Sequence, residues 1–413
     1  MFRETRRDAM TRRDLLKAGS AAAALAAGAS LLNAAELAAP TQPAAQATAP
    51  ASRPAGPLPT RPLGKTGAKV TVLNAGLGSE PAQRFLDRCY DRGIRVFDTA
   101  ASYANGKSEA ALATWFARTG RRKEVFLVTK DEPYDGIESL LTHIDKRLES
   151  LQTDCVDAYF AHGLSVKEFG QRAIEWPASR EFRQVAEKLR KSGKVRFVGF
   201  SCHETNACEY LNAAAEGGFV DLIMVGYNPV LGRKADKLHR ALDACHKAGI
   251  GLIAMKTMRG IGEQLKARYA DKPALAQAVI HAVLSDERIA SICSAMSNLP
   301  QLDQNTDAAR SFTRPMTAAQ LEDVRHAILA GGLAYCPGCD ACGRLAASDL
   351  PRIARYLSYF EQDGRRAAAR RLYRALQRAG RNVGVGELPA AAHACSCGVD
   401  YADVLTRAAR LLA

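Results

Sequence analysis

The chain has no convincing membrane span. Its mild apolar stretch near the N-terminus is built largely of Ala and Gly, too weak and too interrupted for the ~20 apolar residues that a bilayer core demands. Acidic residues are the minority, 43 against 57 Lys and Arg, for a formal net charge of +14. Much of that excess sits near the two ends, and the segment RRAAARRLYRALQRAGR carries seven arginines from Arg365 to Arg381. No nucleic-acid-binding motif accompanies it, so we read it as the solvated face of an Ala-rich helix with Leu372, Tyr373 and Leu376 turned inward. No nucleic-acid partner is expected. With 413 residues, 47% of them hydrophobic, the chain is long enough for one large core and additional segments.

The segment MTRRDLLKAGSAAAALAAGASLL has a basic head at Arg12-Arg13, a short apolar middle and small residues behind it, the layout of a signal peptide. TRRDLLK is similar to the twin-arginine export signal, with Leu15 where Phe often stands. That resemblance implies passage of an already folded protein through the twin-arginine export machinery to the periplasm, with cleavage near Ala35 or Ala39; Met10 is an alternative start. Residues 38–60 are Pro/Ala-rich and almost uncharged, a linker rather than a core. The expected organisation is a signal over 1–37, a linker over 38–60, a folded domain over 61–330 and a cysteine-rich tail over 331–413.

Between residues 69 and 296 a short apolar run recurs eight times: KVTVLNAGLG, IRVFDTA, EVFLVTK, VDAYFAHG, VRFVGFS, LIMVGYN, GLIAMK and IASICSAM. Amphipathic stretches lie between them, several closing on a glycine (Gly93, Gly193, Gly249) suited to a helix C-terminus. Apolar runs alternating with helices imply a parallel sheet covered on both faces. Eight such units predict an α/β fold of the (β/α)8 TIM-barrel type, with a C-terminal helical cysteine-rich extension. An open dinucleotide-binding sheet is the alternative, but no G-x-G-x-x-G follows the first strand.

Barrels of this kind place their sites at the C-terminal ends of the strands. The polar residues there are Asp98, Lys130, His162, Ser201, Tyr227-Asn228 and Lys256, with Tyr103 on the loop beyond Asp98. A free tyrosine titrates near ~10, and an ammonium beside it is expected to bring it towards neutrality. Lys130 is placed to do so, Asp98 to act as its counter-ion, and His162 to orient a substrate oxygen. Such a set polarises a carbonyl receiving hydride, and since side chains cannot deliver hydride, a nicotinamide cofactor must.

These residues carry a resemblance. RPLGKTGAKVTVLNAGLG, GIRVFDTAASYANGKSEAAL, VTKDE, YFAHGL, GKVRFVGFSCHE, YNPV and GIGLIAMK follow the order of the aldo-keto reductase family over roughly residues 61–310. The resemblance implies Asp98, Tyr103, Lys130 and His162 as catalytic tetrad, Tyr103 as acid, and a small carbonyl or alcohol substrate. It also implies NADP(H) or NAD(H), held by Ser201, Asn228, Lys256, Ser297, Gln301 and Asn305. Cys202 stands where many members have Asn, Met224 where a carboxamide-binding Gln is common, and no Lys or Arg for a 2′-phosphate is evident near Ser297. Two other readings are an electron-transfer protein working with a redox partner and a nucleotide-sensing barrel.

Of the 11 cysteines, six (Cys89, Cys155, Cys202, Cys208, Cys245, Cys293) read as small buried hydrophobes. The remainder form CPGCDAC (Cys336, Cys339, Cys342) and CSC (Cys395, Cys397). C-x2-C-x2-C leads a ferredoxin-type [4Fe-4S] motif, but position 346, where the fourth ligand is expected, is Ala. The tail resembles that of a ferredoxin-like subgroup of the family, which implies Cys397 or Cys395 as the remaining ligand. Zinc on the same thiolates, disulfides or no metal are the alternatives.

Overall fold

The runs of Val, Ile, Leu and Phe become strands because both faces of each are covered. Every residue of Phe126–Asp131 and of Val156–Ala161 is buried. The computed structural model describes residues 56–204, 206–231, 236–258, 274–330, 350–361, 366–380, 384–387, 395 and 399–413. The expected export signal and most of the linker lie outside them, as do Cys336, Cys339, Cys342 and Cys397.

A hairpin opens the domain, β1 (Thr60–Pro62) pairing antiparallel with β2 (Lys69–Thr71). The eight strands that follow are β3 (Leu73–Gly76), β4 (Val96–Asp98), β5 (Phe126–Asp131), β6 (Val156–Ala161), β7 (Val195–Cys202), β8 (Leu222–Gly226), β9 (Gly251–Met255) and β10 (Ile289–Ser294). They close in the order β10-β3-β4-β5-β6-β7-β8-β9, and every pairing is parallel. This is the (β/α)8 barrel that the sequence predicts. The first run, KVTVLNAGLG, is split: its start belongs to the hairpin, whose Leu63 and Val70 join the cluster that fills the barrel interior.

The helices form where apolar residues recur at helical spacing. Arg180–Lys191 buries Phe182, Val185, Ala186 and Leu189, one stripe, against the barrel core. The Ser179 hydroxyl caps its start, accepting from the Phe182 N–H at 3.1 Å, a contribution of about 1 kcal/mol. Gly93, Gly193 and Gly249 all adopt positive φ (89°, 74° and 74°), which glycine takes without steric cost.

The period of two in a strand decides what faces the lumen. Val96, Val128 and Phe160 fill the interior, so Asp98, Lys130 and His162, two residues further on, share that face at the C-terminal mouth. Gly199 and Ser201 continue the layer on β7. A Cβ at Gly199 would lie 2.1 Å from the Leu222 carbonyl oxygen on β8, so only glycine fits. On β10 the register shifts between Ile289 and Ser291, a bulge that re-aims the following residues. Cys293 consequently packs against the interior cluster.

Beyond the barrel, helices Leu350–Glu361, Arg366–Arg378 and Tyr401–Leu412 share their own apolar cluster, built on Leu350, Ile353, Leu357, Tyr373, Val404 and Leu405. The arginine-rich helix buries Ala369, Tyr373 and Leu376, with Leu372 half-buried. Its Arg366 and Arg370 lie over the Phe360 ring at 5.6 and 5.0 Å.

Candidate active site

Lys130 and Asp98 are each 1% exposed, and the lysine Nζ lies 2.7 Å from Asp98 Oδ1. A buried ammonium without such a counter-ion is costly. The same Nζ donates to the Thr99 carbonyl at 2.7 Å and to the Tyr103 hydroxyl at 3.5 Å. Burial alone would lower the Lys130 ammonium, but Asp98, Tyr103 and Cys293 outweigh it, and it stays protonated above its ordinary value. The Cys293 thiol donates to the second oxygen of Asp98 at 3.5 Å. Burial first, then that carboxylate, pushes the thiol well above its usual range, so it stays a donor.

Tyr103 is held by its backbone. Its N–H donates to the Ala100 carbonyl at 3.1 Å, and the next three residues, Ala104, Asn105 and Gly106, all have positive φ (49°, 55° and 84°). For Ala104 that conformation costs about 1–2 kcal/mol, strain of the kind found where a side chain must be aimed. The Tyr103 ring meets the His162 ring edge-on, centroids 5.5 Å apart. The expectation that Lys130 draws the phenol towards neutrality is not met in the resting site. The ammonium is the largest single influence and does lower it, but burial, Asp98 and Cys293 together outweigh it and push the phenol up to about 12.

His162 follows β6, and its N–H donates to the Asp131 carbonyl at 2.8 Å. Its Nδ1 lies 2.7 Å from Glu132 Oε1, which also accepts from the Ser102 hydroxyl at 2.6 Å. Burial would raise the Glu132 carboxyl, but the hydrogen bonds from His162 and Ser102 hold it below its usual range. Glu132 thus ties the His162 imidazole to the loop bearing Tyr103. Sequence reading passed it over because its contact with His162 joins the ends of two different strands, which no local pattern shows. Behind the site, buried Glu109 accepts from Thr129 at 2.6 Å and from Arg147 at 3.0 Å; Arg147 Nε also lies 3.1 Å from Asp131.

The expected cofactor residues fall into two groups. Around the mouth, the buried Ser201 hydroxyl accepts from the Gly163 N–H at 2.8 Å, Asn228 Oδ1 accepts from the Val230 and Leu231 N–H groups at 3.0 and 3.1 Å, and exposed Lys256 has φ 55°. Met224 packs in the barrel interior. The second group marks the start of helix Leu299–Ser311. Asn298 caps it, accepting from the Gln301 N–H at 2.9 Å, while Gln301 accepts from the Ser297 N–H at 2.8 Å and Asn305 donates to Ser294 at 3.2 Å. A cavity of about 320 Å³ opens there, lined by Gly76, Leu77, Arg84, Met296, Ser297 and Asn298 among others. Hydroxyl, amide and helix N-terminal groups at such a cavity suit an anionic ligand, and Arg84 adds the cation that sequence reading did not find. It comes from the helix Gln83–Asp91, far from Ser297 in sequence. The residues therefore fit a nicotinamide dinucleotide.

Among the described residues, no group of three or more His, Cys, Asp or Glu is arranged to hold a metal ion. Cys89, Cys202, Cys208 and Cys245 are buried, and Cys395 packs at the edge of the tail cluster.

The structure is thus a closed parallel barrel whose mouth holds a buried lysine–carboxylate pair beside a tyrosine and a histidine. The aldo/keto reductase family model matches residues 70–277, and the chain belongs to that family. It is 31% identical over 191 residues to the aldo-keto reductase yakc [NADP(+)] of Schizosaccharomyces pombe, covering 42% of this chain and 53% of that one. The chain thus spans about half the length of that relative. It is 26% identical over 302 residues to the uncharacterized oxidoreductase YrpG of Bacillus subtilis, covering 64% and 90%. The holo form of a Bacillus halodurans aldo-keto reductase shares the fold, with 21% identity, a TM-score of 0.51, and coverage of 67% of this chain and 96% of that one.

Proposed function

We propose that the protein interconverts a carbonyl compound and its alcohol, with Tyr103 as proton donor and acceptor. The observation that carries this reading is the position of Lys130 Nζ, between the buried Asp98 carboxylate and the Tyr103 hydroxyl. In reduction, Tyr103 hands its proton to the carbonyl oxygen as negative charge develops there, and the fixed Lys130 ammonium stabilises the phenolate left behind. Asp98 keeps that ammonium charged, and His162, fixed by Glu132, orients the substrate oxygen. Ser201, Asn228 and Lys256 at the mouth, and Ser297, Gln301, Asn305 and Arg84 at the second cavity, would hold NAD(P)(H), which when bound supplies the hydride. The name of the fission yeast relative supports NADP.

The test is oxidation of NADPH and NADH by the full-length protein with a panel of aldehydes and ketones. Because the phenol sits at about 12, it keeps its proton through the neutral range. Reduction should then be flat between about pH 6 and 9, whereas alcohol oxidation, which needs the phenolate, should speed up as pH rises. Absence of turnover with every carbonyl and both cofactors would refute the reading and leave nucleotide sensing or electron transfer.

We further propose that Cys336, Cys339 and Cys342, which lie outside the described residues, ligate a [4Fe-4S] cluster with Cys397. Iron and acid-labile sulfide in equal amounts, about four of each per chain, are expected after purification without oxygen. One zinc per chain, or no metal, would refute it.

A further inference from the structure

A role as a small buried hydrophobe does not account for where the sulfur of Cys293 lies. Cys293 is on β10 and Asp98 on β4, and β3 runs between them. Two strand spacings, about 10 Å, separate the two backbones. The thiol reaches the carboxylate because the residue of β3 that pairs with Asp98 is Gly76. A Cβ there would stand 3.0 Å from the Cys293 sulfur, close enough to push it aside. The bulge on β10, between Ile289 and Ser291, turns Cys293 towards that gap. A shifted register on one strand and a missing side chain on another thus serve one contact, Sγ to Asp98 Oδ2 at 3.5 Å.

What the contact does follows from counting protons. The Lys130 ammonium has three N–H donors, and three acceptors surround it: Asp98 Oδ1 at 2.7 Å, the Thr99 carbonyl at 2.7 Å and the Tyr103 hydroxyl at 3.5 Å. Each proton has its acceptor and none is spare. A carboxylate accepts on both oxygens, and Asp98 is 1% exposed, so solvent does not satisfy the second. Among the described residues only the Cys293 thiol donates to it. An unmet charged acceptor in a buried site is costly, and without the thiol the donor within reach is the ammonium. With both carboxylate oxygens on Nζ, a second proton is claimed. The contact that gives way is the longest, to Tyr103.

We propose that Cys293 is a positioning residue of this site: its thiol occupies the second oxygen of Asp98 and so reserves the third Lys130 proton for the Tyr103 oxygen. The inference rests on the carbonyl-reductase reading for its effect on rate but not for the contact itself, so two measurements separate them. The first compares Cys293→Val, which keeps the volume and removes the donor, with Cys293→Ser, which keeps a donor. Cys293→Val should lower kcat for carbonyl reduction about 10- to 100-fold, the loss of one hydrogen bond to a charged group in the transition state. KM and NADPH binding should stay within about twofold, and Cys293→Ser should recover most of the rate. If the thiol only filled space, the valine variant would match the wild type. If it acted on the phenol directly, which it does by raising it, its removal would ease phenolate formation and speed alcohol oxidation near pH 9. The ammonium is the largest influence on that phenol, so its retreat should prevail and oxidation should slow. The second measurement needs no turnover: the ¹³Cζ resonance of Tyr103, assigned by its absence in Tyr103→Phe, reports the hydrogen bond that its oxygen receives. It should move in Cys293→Val and stay near the wild-type position in Cys293→Ser. Wild-type turnover, faster alcohol oxidation or an unmoved resonance in folded Cys293→Val would each overturn the proposal. If no carbonyl is turned over but the resonance moves in the valine variant alone, the positioning role stands and the carbonyl-reductase reading falls.

Discussion

Replacing Tyr103 by Phe is expected to reduce turnover by about a hundred- to ten-thousand-fold, the range for loss of a positioned general acid, while NADPH binding stays within about twofold of wild type. The substitution removes one oxygen and keeps the ring. The remaining ring still has Lys130 Nζ 4.7 Å from its centroid and His162 against its edge, so the packing that shapes the mouth is preserved. Lost with the oxygen is the only hydroxyl that Lys130 touches in the described structure. The carbonyl oxygen would then gain negative charge with no proton to receive, beside an ammonium whose own high proton affinity makes it a poor donor. Stopped-flow fluorescence for cofactor binding, beside steady-state kcat, separates the two quantities. Turnover within about tenfold of wild type would assign the proton to another group, with His162 the next nearest. Loss of cofactor binding would mean that the hydroxyl also helps to hold the cofactor.

Much of this was legible in the sequence because strand ends and parity are local properties. Asp98, Lys130 and His162 each stand two residues after an interior apolar residue (Val96, Val128, Phe160), and a parallel strand uninterrupted by a bulge carries that alternation to its end. The glycines after helices were legible for the same reason, since a left-handed residue is a property of one position. What the sequence hid depends on distance in three dimensions. Cys293 reaches Asp98 only because the register shifts on β10, and no pattern in IASICSAM announces a bulge. Arg84 and Ser297 line one cavity only because the barrel closes. Arg355 and Glu204 are 151 positions apart, so the ion pair that joins the tail helix to the barrel had no local signature. The direction of the Tyr103 shift failed differently. Lys130 was correctly identified as the dominant neighbour, but the net sign is set by how deeply the phenol is buried and by a thiol from another strand.

The second large effect concerns stability. Asp98→Asn is expected to lower the free energy of unfolding by about 3–5 kcal/mol, because it leaves a buried ammonium without its counter-charge. Lys130 Nζ would retain only neutral acceptors, the Thr99 carbonyl, the Tyr103 hydroxyl and the amide oxygen of the new side chain, and none of them replaces the charge of the carboxylate. Lys130→Met is expected to destabilise comparably from the other side, since it strands Asp98 with only the weak thiol donor of Cys293 at 3.5 Å. Combining Asp98→Leu with Lys130→Met should behave differently. Apolar pairs of similar volume in place of a buried ion pair are often neutral or stabilising, and the neighbours below, Val96 and Val128, are already apolar. Urea unfolding of the double variant should therefore recover most of the stability lost in either single one. Its turnover should remain as low as that of the Lys130 single variant. A cost under about 1 kcal/mol for Asp98→Asn, the range of exposed pairs, would mean that water reaches the site and that the pair is not the desolvated unit described here. Recovery of stability without recovery of turnover would show that folding has no need of this charge, and that the carboxylate is there to keep an ammonium beside a phenol.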